Sequence, residues 1–559
     1  MNQPTRPRPA AATAALLQRA LAVHQQGRLT EADALYREIL AQDPEHFDAL
    51  HLSGVIAYQQ GRYDAAVASI GRALMHETTQ AAPYSNLGLA LLAQGRHDAA
   101  LACFDRALTL QPEQAGSHSN RGNALRGLKR SQEALACYDR ALALQPDFAL
   151  AHSNRGNILQ DLQRHEEAVA SYDAALRLQP EYAEAHNNRA HALRRLNRLA
   201  DALASCERAL QIRPDYADAH NNLGNILQDL GRHEAARASY ARALALRPDY
   251  AEAHLNDALC RLALGDFERG WQAYEWRWAS PTHRSARRDF TQPLWLGQFP
   301  LAGRTLLLHA EQGLGDTLQF CRFASLLAAQ GATILLEVQA PLAGLLATLA
   351  GVSRVLIQGQ PLPDFDCHCP LLSLPHALRL SLAQLPAIGL PYLAAEPVRA
   401  AQWRARLAPR PRPWVGLSWS GNPTHVNDHN RSLPLAALDG LWRRQGTVVA
   451  VQTRMDAAER DAFRAAGGVD PAELLADFAD TAALLSCLDH VLSVDTAAAH
   501  LAGALALPAT VLLPFNADFR WLIGRGDSPW YPTLRILRQG RAGDWSEAIA
   551  QALATLPSA

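Results

Sequence analysis

Small and apolar residues recur through the first half of the chain with a period of 34 residues. In DYADAHNNLGNILQDLGRHEAARASYARALALRP (215–248), Leu223, Gly224, Ala236, Tyr240, Ala243 and Pro248 take the small and apolar positions of a helix–turn–helix unit. Pro112, Pro146, Pro180, Pro214 and Pro248 end successive copies, each 34 residues after the last. Weaker copies extend the series. Pro44 lies two periods before Pro112, LLQRALAVHQQGRLTEADALYREILAQDP fits a first unit, and a last unit ends in the aromatic WQAYEWRW. About eight repeats over residues 13–281, behind a flexible stretch at 1–12, predict an α-solenoid whose units bury their apolar faces against one another.

After residue 281 the period stops, and PTHRSARRDFTQPLW begins a connector over 282–300. The apolar pattern then changes to short runs alternating with helical segments. RTLLLH, ATILLEV and SRVLIQ read as strands, with ALRL a weaker one; PWVGLSWS, TVVAVQ, HVLSVD and ATVLLP form a second series. Such alternation predicts parallel sheets covered on both faces. Two series give two α/β lobes, 301–395 and 396–559, with AAEPVRAAQWRARLAPRPRP at their boundary. Ligands of such folds lie beyond the carboxyl ends of the strands.

Composition changes this picture in three ways. A 48% hydrophobic, 19% charged chain of 559 residues with net charge -1 buries large cores and is a poor general nucleic-acid or membrane-surface binder. No run reaches the roughly eighteen apolar residues of a membrane span, and the N-terminus lacks a secretory pattern, so a cytoplasmic protein is expected. Lys129 is the one lysine, which removes a Walker or Schiff-base lysine and leaves phosphate binding to arginine, backbone N–H groups and helix N-termini. Of eight cysteines, Cys103 and Cys137 fall inside the repeat as small core residues. Cys367-His368-Cys369 has no second ligand pair at zinc spacing, and no metal is expected.

Asn86, Asn120, Asn154, Asn188, Asn222 and Asn256 also recur every 34 residues, two before the repeat glycine. A carboxamide both donates and accepts, so a column of them matches an extended peptide backbone; the alternative is packing between repeats. His118, His152, His186, His220 and His254 share the period at a large-residue position and are expected to pack.

Four motifs of the second half carry candidate chemistry. AEQGLGDTLQF follows the first strand, with Gly313 and Gly315 permitting close backbone approach and Asp316 at the helix start as base or cap. GLSWSGNPTHVNDHNRSLPL offers Ser418, Ser420, Asn422, Asn427 and Arg431, with Arg431 best placed to neutralise a diphosphate. In SVDTAAAHLAGALALP, Asp495 and Thr496 open a helix that presents free N–H groups to an anion or is simply capped, and His500 lies one turn on. FNADFRWLIGRGDSPWYP holds Arg520, Trp521, Trp530 and Tyr531, as a stacking surface or as core.

The 34-residue pattern resembles the tetratricopeptide repeat, and the asparagine column resembles the ladder of O-GlcNAc transferases. LGD at a first βα turn, a basic residue three before Pro434 and VDT-x-x-x-H together resemble glycosyltransferase family 9, the heptosyltransferase-like enzymes, over about 300–545. The combination is similar to bacterial flagellin glycosyltransferases. The resemblance implies a GT-B fold of two Rossmann-like lobes with a nucleotide sugar held mainly by the second. It implies Asp316 as catalytic base, Arg431 in place of a phosphate-contacting lysine, and Asp495, Thr496 and His500 at the donor, with Gly313, Gly315, Ser418 and Asn422 beside it. The short first lobe and the alanine after VDT depart from that family. The expected function is inverting, metal-independent transfer of a sugar to Ser or Thr of a protein acceptor, flagellin among the candidates, held along the asparagine column. Pairing of solenoid ends into a homodimer is compatible with this. A peptide-binding scaffold with an inactive enzyme domain and a lipopolysaccharide-directed enzyme are the alternatives.

Overall fold

The computed structural model describes residues 10–280, 287–424 and 427–558. Most of the expected N-terminal stretch, the start of the connector and two residues of the 416–435 loop lie outside the described residues. The chain divides into two compact units, one ending at Asn222 and one beginning at Leu223.

Among the described residues, sixteen helices from Ala10–Gln25 to Phe267–Tyr274 form eight pairs at the repeat spacing. The chemistry inside a pair explains the pattern. A Cβ added at Gly156 would lie 2.5 Å from the Tyr172 ring, and one at Gly122 would lie 2.8 Å from the Tyr138 ring. The glycine therefore gives the buried aromatic of the second helix its place. Its hydroxyl is satisfied by the residue after the glycine: Tyr138 donates to Asn123 Oδ1 at 2.7 Å, and Tyr172 to Asn157 Oδ1 at 2.8 Å. Where the second helix carries Phe104 or Ile70, which have no hydroxyl, the position after the glycine is Leu89 or Val55. A buried hydroxyl without an acceptor costs about 1–3 kcal/mol, which asparagine avoids at Tyr138, Tyr172 and Tyr240; Tyr36 of the first pair has Leu21 at that position and no such acceptor.

The periodic histidines do not fill the core. His118, His152 and His186 are half-buried, and each ring Nε2 pairs with the carbonyl of Pro112, Pro146 or Pro180 at 2.9–3.0 Å, clasping the turn before its helix. The turn within each pair needs a left-handed residue. Gly27, Gly61 and Gly95 supply it in the first three pairs, whereas Lys129, Gln163 and Asn197 adopt φ of 57–63° in the next three.

The second unit contains the last repeat helices and two sheets. The strands are β1 (Thr305–His309), β2 (Thr333–Val338), β3 (Val352–Ile357), β4 (Cys367–Pro370), β5 (Trp414–Ser418), β6 (Thr447–Ala450), β7 (His490–Val494), β8 (Ala509–Leu513), β9 (Asp527–Ser528) and β10 (Tyr531–Arg538). The first sheet has the order β3-β2-β1-β4, all parallel; the second is β6-β5-β7-β8-β10-β9, parallel except for the β9 edge. One apolar core joins helices of both sheets to the final repeat pair, with Phe267 stacked on Trp530 at 5.7 Å and Trp271 edge-on to Phe320 at 5.5 Å.

One local expectation changes, and two open readings take their structural form. ALRL lies in a short helix and turn, where Arg379 has φ 49°, and not in a strand. Cys367-His368-Cys369 is the buried strand β4, with both thiols enclosed between β1 and the surrounding leucines. Trp530 and Tyr531 are core residues at the start of β10 and present no stacking surface.

Adding a methyl group at Gly156 should overpack the Tyr172 pocket. Gly156→Ala is expected to destabilise the repeats by about 1–3 kcal/mol, read from urea unfolding followed by circular dichroism. An unchanged midpoint would contradict the packing described.

Candidate functional site

Strand order locates the site. From β1 the first sheet runs outward through β2 and β3, then β4 returns to the other side of β1; the second runs from β5 to β6, then β7 returns beside β5. Open parallel sheets bind ligands outside the carboxyl ends at such switch points. The stretch after β1 holds Gly313, Gly315 and Asp316; β5 ends in Ser418; and β7 is followed by Asp495 and Thr496.

The turn after β1 leads into the helix Leu314–Phe320. Asp316 caps it, its Oδ2 accepting from the Gly313 N–H at 2.8 Å. Gly313 has φ -71° and needs no left-handed freedom. Gly315 serves helix packing, since a Cβ there would lie 2.9 Å from His500 Cδ2 and 3.7 Å from Ala497 Cα. The Leu314–Phe320 helix thus rests directly on the helix Ala497–Ala504 of the second sheet.

On the second sheet the polar groups converge at the start of Ala497–Ala504. Thr496 is its N-cap residue, and its Oγ1 lies 3.3 Å from Ser418 Oγ and 3.1 Å from Ser493 Oγ. Arg431 donates through Nη1 to the Asp495 carbonyl at 3.1 Å and through Nε to Asp428 at 3.2 Å. Gly421 makes room for this, because a Cβ there would come within 2.7 Å of the Arg431 guanidinium. Asn422 stands further out, where it accepts from Arg454 Nη1 at 3.2 Å.

The residue that links these groups to Asp316 is Arg520, which the sequence suggested only for stacking. Its guanidinium forms an ion pair with Asp316 Oδ1 and bonds Asp518 Oδ1 through Nη1 at 2.8 Å; the Arg520 and Asp316 side chains are 10% and 17% exposed. Burial alone would lower the Arg520 pKa, but Asp316 and Asp518 outweigh it and hold the charge. Burial, and next the Asp518 charge, raises the Asp495 carboxyl above the usual range, against the pull of Arg431 and Arg520. His500 is enclosed, stacked on Trp521 at 5.1 Å, with Nδ1 at 3.2 Å from the Tyr531 hydroxyl. Burial, then Arg520, pushes its pKa down to about 3, so it works as a neutral group.

Beside the turn, at the end of β1, a cavity of about 230 Å³ is lined by Trp278, Arg288, His309, Glu311, Gln312 and Gln358. Glu311 is paired with the fully buried Arg277 at 3.0 Å; burial raises its carboxyl to about 7 against the pull of that arginine. Among the described residues no cluster of three His, Cys, Asp or Glu could hold a metal ion, and no helix is long and apolar enough to cross a membrane.

In the repeats Asn86, Asn120, Asn154, Asn188, Asn222 and Asn256 are all half-buried on the first helix of their pairs. Three bond sideways within the first unit: Asn86 to His51 at 2.9 Å, Asn188 to Asn157 at 2.9 Å and Asn222 to Asn187 at 2.9 Å. The second set, Asn123, Asn157 and Asn225, was not singled out by the sequence; its signal was NRGN or NLGN with tyrosine fifteen residues after the last asparagine.

Residues 17–86, 85–149 and 153–217 match one model of the tetratricopeptide repeat, and 217–250 match another. The chain carries tetratricopeptide repeats over this stretch. It is 28% identical over 320 residues to protein FlbA of Caulobacter vibrioides, covering 53% of each chain, so it spans about half the length of that relative. Among solved structures, a thermophilic tetratricopeptide repeat protein of Thermus thermophilus is 26% identical, with 33% of this chain and 99% of that one covered and a TM-score of 0.30. YrrB, a tetratricopeptide repeat protein with an unusual peptide-binding site, is 24% identical over 33% of this chain and 95% of its own, with a TM-score of 0.29.

The buried imidazoles set a pH dependence. His500 and His309 are both held near 3, mainly by burial. Below about pH 6.5 the unfolded chain binds protons that these folded rings refuse, so stability falls as pH drops from about 6.5 toward 3. At pH 5 each ring is expected to remove about 2 kcal/mol. Urea midpoints at pH 7.5 and pH 5 should differ accordingly, and His500→Asn should reduce the difference. An identical drop in the variant would refute the assignment.

Proposed function

We propose that this chain is an inverting glycosyltransferase of GT-B type that moves a sugar from a nucleotide sugar to a Ser or Thr hydroxyl of a protein held by the repeats. One observation carries the proposal: Asp316, after β1 of one parallel sheet, faces the arginines and hydroxyls gathered at the switch point of the other. Two sheets contributing carboxyl ends to one site suit a reaction with a separate donor and acceptor.

In the proposed step the acceptor oxygen attacks the anomeric carbon while the bond from that carbon to the donor's phosphate oxygen breaks. The hydroxyl proton passes to Asp316, and the nucleoside diphosphate leaves with the bonding electron pair. Arg431, the Thr496 and Ser418 hydroxyls and the N–H groups opening Ala497–Ala504 would carry the charge that develops on the phosphates. Neutral His500 would keep Asp495 and the Trp521 ring in place beneath them. The half-buried asparagines suit an extended peptide, although the sideways bonds of Asn86, Asn188 and Asn222 mean that such a peptide would share them with neighbouring repeats.

Asp316→Asn should lower transfer or donor hydrolysis by about 10²–10⁴-fold with an unchanged circular dichroism spectrum. Near-normal turnover would remove Asp316 from the chemistry. A chain beginning at Pro214, ahead of the helix Ala217–Asp229, keeps the final repeats and should hydrolyse the donor yet fail to modify a protein acceptor, flagellin being the first to test by intact mass. Full acceptor modification by that truncated chain would favour a glycan-directed enzyme instead.

A further inference from the structure

The Asp316 carboxylate is engaged at both oxygens. Oδ2 accepts from the Gly313 N–H at 2.8 Å, and Oδ1 meets the Arg520 guanidinium. Each oxygen keeps a second lone pair, but the guanidinium held at Oδ1 competes with an acceptor hydroxyl for that oxygen, so opening the ion pair frees Asp316 to receive the proton. The N-terminal cap is local and rigid, whereas the ion pair spans two sheets.

Arg520 has donors to offer elsewhere. Nη1 bonds Asp518 at 2.8 Å, Nη2 is turned toward Asp316, and Nε is enclosed with no hydrogen-bond partner among the described residues. Arg520 pairs with Asp316 beside Gly315, where a Cβ would lie 3.7 Å from Ala497 Cα, and Arg431 donates to the Asp495 carbonyl at 3.1 Å, so both arginines border the start of the Ala497–Ala504 helix. A nucleoside diphosphate brings more negative charge than one carboxylate, and its oxygens fit the planar fork of a guanidinium.

Building on the glycosyltransferase reading, we propose that Arg520 is a second ligand of the donor diphosphate and that Asp316 occupies it as a place-holder. The arriving phosphates take Arg520 and thereby release the carboxylate that receives the acceptor proton. The base then becomes competent only when the donor is seated, which protects the site from reaction without it.

The test is a double-substitution cycle on the full-length chain, with UDP, GDP, ADP and CDP titrated calorimetrically and the tightest carried forward. Arg520→Gln should weaken that nucleotide by about tenfold or more, and Arg520→Lys, which keeps charge but loses the fork, by less. Asp316→Asn should tighten it by about three- to tenfold in the natural background, while its turnover falls. In the Arg520→Gln background the same substitution should change affinity less than about twofold, because nothing is left to release. Equal tightening in both backgrounds would reduce Asp316 to general charge repulsion and overturn the proposal. So would an unchanged affinity in Arg520→Gln alongside a lowered melting temperature, the result expected of a structural staple. If Arg520→Gln fails to fold, the cycle is run under the same criteria with Arg520→Met, which also removes the charge while keeping an extended side chain. Failure of all four nucleotides to bind the natural chain would overturn the glycosyltransferase reading along with this one.

Discussion

The second unit depends on the close approach of two short helices at Gly315. Only a hydrogen at that Cα lets Leu314–Phe320 lie against the ring edge of His500 and the backbone of Ala497. From that contact follow the placement of Asp316 within reach of Arg520 and the burial of His500. The approach is reinforced just beyond the end of the Leu314–Phe320 helix. Arg322 is enclosed, donates to the Trp530 carbonyl at 3.0 Å, and lies 4.4 Å from the Tyr392 ring and 5.0 Å from the Tyr531 ring. A buried guanidinium among aromatic faces tolerates little displacement, since its desolvated charge has nowhere else to go. The two sheets are therefore held in a fixed relation where their switch points meet.

Much of this was legible in the sequence, for physical reasons that differ by region. The repeats declare themselves because every pair solves the same packing problem with the same residues. Strands β1, β2 and β5–β8 are largely buried and read as continuous apolar runs, whereas the edge strand β3 exposes Ser353 and Arg354 and shows through Val355–Ile357. Strand β4 did not, because its four residues include His368 and two cysteines, which suggest ligands before they suggest a strand. Strand β10 was hidden because Pro532, Arg535 and Arg538 break up its apolar positions. The motifs around Asp316, Arg431 and Asp495 could be picked out as loops at strand ends, but their partners could not. Nothing in local spacing says that Arg520 belongs to Asp316, or that Gly315 serves a helix instead of a ligand.

The repeats show how one substitution carries others with it. In the sixth pair the glycine, asparagine and tyrosine are replaced together by Ala190, His191 and Cys206. The larger alanine faces a smaller thiol, and His191, with no tyrosine hydroxyl to receive, turns to Gln160 at 2.5 Å instead. Burial lowers the His191 pKa to about 4, so this replacement is a neutral hydrogen-bonding group. The last pair meets a different demand. Its second helix donates Phe267, Trp271 and Tyr274 to the core beneath the sheets, so it belongs mechanically to the α/β unit while keeping the repeat spacing.

Lys129 stands at the left-handed turn of the fourth pair and is the chain's one side-chain amine. A lysine-specific endoproteinase therefore has a single bond to cut, in a turn between two helices of the first unit. Acylating dyes and amine cross-linkers are confined in the same way to one known place on the side chains. Reliance on arginine for positive charge has thus left the molecule with a built-in address for single-site conjugation, through which the motions of the repeats can be followed while residues 223–559 remain chemically untouched.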